Sequence, residues 1–411
     1  MNTAVKKQIV LCTLGTVFEW YEFTVFASLS PIIALLFFPA SSHFAAMMAT
    51  FAVFASGYIM RPIGALFFGH LGDTRGRKFS LLITVFLMSI ATFGMGLIPV
   101  GYSFSMLVLV LCRLVQGFAA SGEYPGGLVL LAEQASPKRK GLTASFGIFA
   151  TGVGCFLGAL VYAITFKLCG YTDLVRWGWR IPFLIAAFLG VFGLILRTRM
   201  MESNEFTTHK SKGQLLPGPL KELLLRHWKN VCALLCISIL TNVIIYTDLL
   251  YLSNYSFTIH KLSAAQMANL YLVITFIYTL AILLFGFLSD YFNKKYLLLT
   301  ACLLTLGFIY PAFYLTIHAN SVWQICAQSI LALLVGMILG PFASILAEKF
   351  PVTVRYSGVS FILNMAASFF GGTAPFISAM LTQWVGSPLA PVYYLLALAL
   401  LALISIRTAI I

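Results

Sequence analysis

The chain has 411 residues, 60% of them hydrophobic and only 9% charged, and its 26 Lys and Arg outnumber 12 Asp and Glu to leave a net charge of +14. An average soluble protein is about 25% charged, and a soluble chain of this length could not hide so much apolar surface, so its solvent is lipid. The basic surplus comes as short clusters between apolar runs, which reads as membrane topology rather than as a nucleic-acid face.

A spanning helix needs about 20 apolar residues. Twelve candidates follow in chain order: 8–38, 44–69, 79–99, 103–133, 141–166, 178–198, 229–255, 264–289, 295–317, 320–348, 355–384 and 388–408. The first follows Lys6 and Lys7, as a signal peptide would, but it runs for about 30 residues and carries two glutamates, so it reads as a retained helix. The one long polar break, 199–228, brings together Arg197, Arg199, Lys210, Lys212, Lys221, Arg226 and Lys229 with Pro217, Gly218 and Pro219. The predicted fold is therefore all-α and membrane-embedded. Its twelve transmembrane helices form two six-helix bundles over 1–198 and 229–411, joined by a linker over 199–228.

Twelve spans put both termini on one side. Of the 26 basic residues, Lys167, Arg176, Arg180 and Lys261 fall on the opposite side, and Arg61 and Arg113 sit inside helices. The other twenty lie at the termini, in the even-to-odd loops or in the linker. Positive charge marks the cytoplasm, so termini and linker are expected there, as in a multi-pass protein of the plasma (inner) membrane.

Two loops repeat about half a chain apart. Gly69–Lys78 reads G-H-L-G-D-T-R-G-R-K and Gly286–Lys295 reads G-F-L-S-D-Y-F-N-K-K. The match continues past the fourth and tenth helices, where Ala132-Glu133, Pro137, Arg139 and Gly141 echo Ala347-Glu348, Pro351, Arg355 and Gly358. A half-chain repeat in a hydrophobic protein points to a two-bundle transporter. Gly69 and Gly72 would allow close helix approach. Asp73 could cap a helix or pair with an arginine of the other bundle, and Arg77 and Lys78 would hold the cytoplasmic face. The second copy keeps Asp290 and Lys294-Lys295, with Asn293 where the first has its Gly-Arg.

Charges inside hydrocarbon cost at least about 2.5–3.5 kcal/mol on insertion scales and usually face a cavity or a partner. Glu19 lies roughly 16 Å into the first helix at 1.5 Å per residue, and Arg113 enters to similar depth from the other side in the fourth. Glu22 follows Glu19 by about one turn on a similar face. An arginine stays charged while a glutamate can cycle, so Glu19, Glu22 and Arg113 are the expected proton-coupling set. Glu123 and Arg61 lie at matching depth and are expected to pair as a cytoplasmic gate. The seventh helix carries Thr241, Asn242, Tyr246, Asp248, Tyr251, Asn254 and Tyr255, and the eleventh carries Asn364. Asp248 falls near the outer end and reads as a water-exposed interfacial residue or as a partner for an ammonium group.

The eight cysteines are mostly inside apolar runs, no C-x-x-C occurs, and the six histidines are scattered, so no metal site is visible. No P-loop occurs, so ATP is not the energy source. No cofactor is expected, and no catalytic constellation or soluble domain marks an enzyme.

The G-x-L-x-D-x-x-G-R-K loop resembles the signature of the major facilitator superfamily, and the resemblance extends over the whole chain. A finer likeness is to its metabolite:proton symporters of proline and betaine, 2-oxoglutarate, citrate or shikimate. It rests on Glu19-Trp20-Tyr21-Glu22-Phe23, Phe37-Phe38-Pro39, Arg61-Pro62-Ile63-Gly64-Ala65, Arg113-Leu114-Val115-Gln116-Gly117, Gly122-Glu123-Tyr124 and Arg355-Tyr356-Ser357-Gly358. The resemblance implies alternating access, with a latch built on Gly69, Asp73, Arg77 and Asp290 and gated with Arg61 and Glu123. Candidate substrate-binding residues are Trp20, Tyr21, Arg113, Gln116, Glu123, Tyr124, Asn242, Tyr246 and Asn364. The expected cargo is a carboxylated zwitterion (betaine, proline or another amino acid) imported with protons. The alternatives are a di- or tricarboxylate or shikimate-like acid, or export of a drug or metabolite. The expected partners are the substrate, protons and the bilayer, with no nucleic acid, and the protein is expected to act as a monomer.

Overall fold

The computed structural model of the chain describes residues 3–38, 43–253, 255 and 264–409. Pro39, Asn254 and Lys261 lie outside them. The described residues are helical nearly throughout. The first half holds α1 (Thr3–Phe37), α2 (His43–Thr74), α3 (Arg77–Leu97), α4 (Ser103–Gln134), α5 (Lys140–Asp173) and α6 (Arg180–Thr198). Two short helices follow, α7 (Asn204–Ser211) and α8 (Pro219–Arg226). The second half holds α9 (Trp228–Tyr246), α10 (Ala264–Leu288), α11 (Lys294–His318), α12 (Ser321–Glu348), α13 (Arg355–Met365), α14 (Ala374–Val385) and α15 (Pro391–Ala409).

Among the described residues ten stretches are long and apolar enough to cross a membrane, and α13 and α14 form one of them. With α2 (32 residues) and α15 (19 residues) they make a twelve-helix, two-bundle membrane fold that agrees with the predicted spans. Large apolar side chains such as Ile59, Phe188 and Trp384 lie exposed on the outside. That pattern suits a protein whose solvent is hydrocarbon, because lipid leaves no reason to hide them.

Three π-helical turns, Leu174–Gly178, Thr247–Leu252 and Ala366–Gly371, were not foreseen. An extra residue per turn leaves no trace in a run that is apolar all round, and such turns concentrate at functional sites.

Within the first half α1 packs on α5, α2 on α4 and α3 on α6. Within the second α10 and α11 pack on α12, and α9 on α15. The halves meet chiefly through α5 against α10 and α2 against α13. These two pairs are matching members of the six-helix repeat, so the halves face each other across a pseudo-two-fold axis, and the site lies between them.

Candidate functional site

The two repeated loops meet opposite helix starts. Asp73, at the end of α2, accepts the backbone N–H of Tyr356 at 3.0 Å and of Ser357 at 2.8 Å, in the first turn of α13. Asp290, after α10, accepts those of Gly141 at 2.6 Å and Leu142 at 3.1 Å, in the first turn of α5. A helix start offers unpaired N–H groups and a positive dipole end, so a carboxylate binds there well. Glycine is needed at this approach: a Cβ on Gly69 would stand 2.8 Å from Ser357 Cα, and one on Gly72 would run into the Tyr356 ring.

Arg77 sits beside this contact. It is fully buried, forks onto Glu133 at 2.9 and 3.1 Å, lies 3.4 Å from Asp73, and donates to the Val352 carbonyl of the other half at 2.7 Å. Arg355 reaches the same Glu133 at 2.9 Å and also Glu205 of α7 at 2.6 Å. Glu202 accepts the backbone N–H groups of Arg77 and Lys78, and Phe206 lies under the Arg77 guanidinium at 4.7 Å. The segment between the halves thus packs into the same cluster of contacts. In the second copy the corresponding pair, Lys294 with Glu348 at 2.8 Å, is partly exposed.

Between the halves lies a central cavity of about 80 Å³. Trp20, Arg61, Tyr124 and Thr151 line it from the first half, and Ser238, Thr241, Asn242, Tyr246, Tyr278 and Asn364 from the second. Hydrogen bonds between the halves flank it at both ends. Toward the linker, Asn364 Nδ2 and Ser360 Oγ donate to the Ser121 carbonyl at 2.9 and 2.8 Å. Toward the opposite end, the Tyr58 and Tyr246 hydroxyls lie 2.9 Å apart and Ser368 donates to the Tyr58 carbonyl. Among the described lining residues Arg61 is the one charged side chain. Its guanidinium sits over the Phe23 and Tyr58 rings at 4.7 and 4.9 Å, and its Nε and Nη2 have no hydrogen-bond partner. Buried donors are nearly always paired, so two unpaired ones on a cavity-lining arginine set Arg61 apart.

The expected pairing of Arg61 with Glu123 is not found. Glu123 pairs with Arg197, a residue that reads as a linker cation but ends α6 with its side chain buried. Depth along two helices matched Glu123 and Arg61, but the faces they occupy separate them. The cavity also excludes four expected lining residues. Tyr21 turns into the first bundle, where its hydroxyl donates to the Pro182 carbonyl at 2.9 Å. Arg113, Gln116 and Glu123 lie inside that bundle as well. Arg113 donates to Gln116 Oε1 at 2.8 Å, Gln116 donates to Thr92 at 2.5 Å, and Thr92 donates to Glu22. Arg113 and Glu22 are therefore linked through an amide and a hydroxyl. Glu19, Glu22 and Glu123 share a second, small cavity of about 10 Å³ within the first bundle. Neither Glu19 oxygen has a hydrogen-bond partner. Asp248 is buried, which overturns its reading as a water-exposed interfacial residue.

Thr151, Ser238, Tyr278, Glu133, Arg197, Arg355 and Tyr356 are site or latch residues that carried no role in the sequence reading beyond the repeat and the family likeness. Glu133 and Arg355 had a signal, since both stand in the matched segments after the fourth and tenth helices.

A cavity held between two six-helix halves, with matching carboxylate-to-helix contacts at one end, defines a multi-pass membrane transporter. The Major Facilitator Superfamily model matches residues 12–375, and the chain belongs to that superfamily; it is a transporter and not an enzyme. It is 32% identical to the proline/betaine transporter of Salmonella typhimurium, over 97% of this chain and 82% of that protein. It is 33% identical to the citrate-proton symporter of Klebsiella pneumoniae, over 97% of this chain and 90% of that one. The fold matches the proton:xylose symporter XylE with a TM-score of 0.80 at 17% identity, covering 98% of this chain and 95% of that one.

Proposed function

We propose that the protein imports a small carboxylated zwitterion, betaine, proline or another amino acid, together with protons. The carrying observation is Arg61, the one charged side chain among the described lining residues of an aromatic-walled cavity, with two donors that have no hydrogen-bond partner. A guanidinium suits one carboxylate, and the faces of Trp20, Tyr124, Tyr246 and Tyr278 suit a quaternary or secondary ammonium. A single cation in the cavity favours one carboxylate over three. The proline/betaine transporter likeness supports the same class.

The halves, 1–198 and 229–411, rock about this cavity, with 199–228 as the linker. Asp73, Arg77 and Asp290 latch the cytoplasmic end, and Gly69 lets the helices close. Glu19 and Glu22, tuned through Gln116 by Arg113, carry the coupled proton inside the first bundle, beside the cavity rather than in it. Termini and linker face the cytoplasm of the inner membrane, and one chain suffices.

Thermal stabilisation of the purified protein tests the cargo, because a ligand that binds only the folded state raises its melting temperature. Glycine betaine or proline is expected to raise it, and citrate or 2-oxoglutarate to leave it unchanged. The reverse order would replace the zwitterion by the di- or tricarboxylate class that the citrate-proton symporter likeness also allows.

A further inference from the structure

Among the twelve acidic residues of the chain, Asp248 alone is embedded in the second half, since Asp290 and Glu348 belong to the latch end. It is 1% exposed and neither carboxyl oxygen has a hydrogen-bond partner. It stands in the π-helical turn Thr247–Leu252 that continues α9. On α9, Ser238, Thr241, Asn242, Ile245 and Tyr246 line the central cavity. Asp248 follows Tyr246 by two residues, which at about 100° per residue turns it to the opposite side, into the second bundle.

The π turn packs against α9, α12 and α14. From α12 comes Gln328, whose Oε1 lies 3.2 Å from Ser253 Oγ, and that hydroxyl lies 3.2 Å from the Asp248 carbonyl oxygen. Gln328 Nε2 and Thr247 Oγ1 are also without partners. The titratable groups on these elements are few. Tyr251 of the turn bonds Thr382 of α14 at 2.6 Å and stacks on Tyr255. Tyr246 faces the cavity, Cys232 of α9 and Cys326 of α12 are exposed, Cys236 is half-buried about three turns back along α9, and α14 has no titratable residue. Lys229 and Glu348 stand at the far, linker-side ends of α9 and α12. The surroundings therefore offer hydrogen-bonding amides and hydroxyls but no balancing positive charge among the described residues.

A bare carboxylate in such a place is strongly disfavoured, and a residue so placed in a membrane protein marks an ion or proton pathway. We propose that Asp248 is a second proton-binding site, lodged in the C-terminal bundle and independent of Glu19 and Glu22. Its carboxylate takes one proton to become the acid, and returns that proton to water when rearrangement of the π turn opens the site. Gln328 is tied to the backbone of the same turn through Ser253. Its use in transport rests on the proton-coupled reading above; the protonation itself does not, and it is read without any substrate.

Infrared difference spectroscopy of the purified protein in lipid nanodiscs, titrated over pH, reports the carbonyl stretch of protonated carboxyl groups. Asp248→Asn is expected to lose one such band, Asp248→Glu to keep it at a shifted frequency, and the Glu19→Gln, Glu22→Gln double variant to retain it. Should Asp248→Asn fail to fold, the frequency shift in Asp248→Glu carries the test alone. Spectra that Asp248→Asn and Asp248→Glu leave unchanged would overturn the proposal. So would bleaching of the Asp248 band when sodium chloride replaces choline chloride at constant pH, because the site would then hold a metal ion.

Discussion

Asp73 and Asp290 make the same contact in opposite directions across the molecule. Each ends a helix in its own half and receives two successive backbone N–H groups from the first turn of a helix in the other. The two contacts differ in what backs them. Behind Asp73 stands the buried Arg77, forked onto Glu133; on the Asp290 side the corresponding pair is Lys294 with Glu348, partly open to solvent. A surface pair of this kind contributes about 0–1 kcal/mol, whereas removing one partner of a buried pair costs about 3–5 kcal/mol, so the Asp73 side is the more sensitive to substitution.

Replacing Asp73 by Asn keeps the shape but removes the charge that two helix N–H groups share. Hydrogen bonds to charged groups are worth about 1.5–3 kcal/mol each, and about 1.4 kcal/mol is tenfold in population. A cysteine at Asn242 in inside-out vesicles should therefore react with a polar maleimide at least about tenfold faster in Asp73→Asn. Asp290→Asn should give a smaller increase.

Arg61 lines the cavity, is held by two aromatic faces and has two donors without a hydrogen-bond partner. A lysine keeps the charge but loses the planar fork and the stacking. Arg61→Lys should raise the KM for zwitterion uptake by about tenfold or more, a loss of at least about 1.4 kcal/mol of binding. Arg61→Ala should abolish uptake while leaving the melting temperature of the unliganded protein close to wild type. Uptake kinetics and a thermal melt read the two effects separately.

Glu123 and Arg197 form an ion pair buried inside the first bundle. Removing one partner of such a pair costs about 3–5 kcal/mol, because the other is left charged and buried. Glu123→Gln should lower the melting temperature clearly, and adding Arg197→Met should recover much of the loss. If Glu123 instead paired with Arg61, the second substitution would worsen the first.

Glu19 has two unpartnered oxygens beside Glu22 in the small cavity of the first bundle. Glu19→Gln or Glu22→Gln should abolish proton-driven accumulation and spare counterflow exchange, which needs no net proton movement. Normal accumulation in both single variants and in the double would place the coupled proton elsewhere.

The helices and the latch loops were legible because each leaves a local pattern: length, apolarity, and a motif repeated at the same place in both halves. Asp73 and Asp290 could be singled out from that repeat, and Trp20, Tyr124, Asn242, Tyr246 and Asn364 from polar or aromatic residues at suitable depth. Facing direction was harder. Arg113, Gln116 and Glu123 have the right depth but turn into their own bundle. Arg197 stands at the end of an apolar run next to true linker cations, so charge sorting gathered it with them, and only packing shows it buried against Glu123. The burial of Asp248 was not legible, because a π-helical turn alters register without altering composition. The aromatic seat of Arg61 left no signal in spacing, since Tyr58 was one aromatic among many in a chain that is 15% aromatic and Phe23 stood out only within the Glu19–Phe23 motif.

The most direct test of proton-coupled zwitterion import is uptake of radiolabelled glycine betaine and proline into proteoliposomes with an alkaline interior. Accumulation above the external concentration is expected, collapsing when a protonophore is added and absent without the gradient. Uptake that reaches only equilibrium, or proceeds equally with and without the gradient, would contradict it.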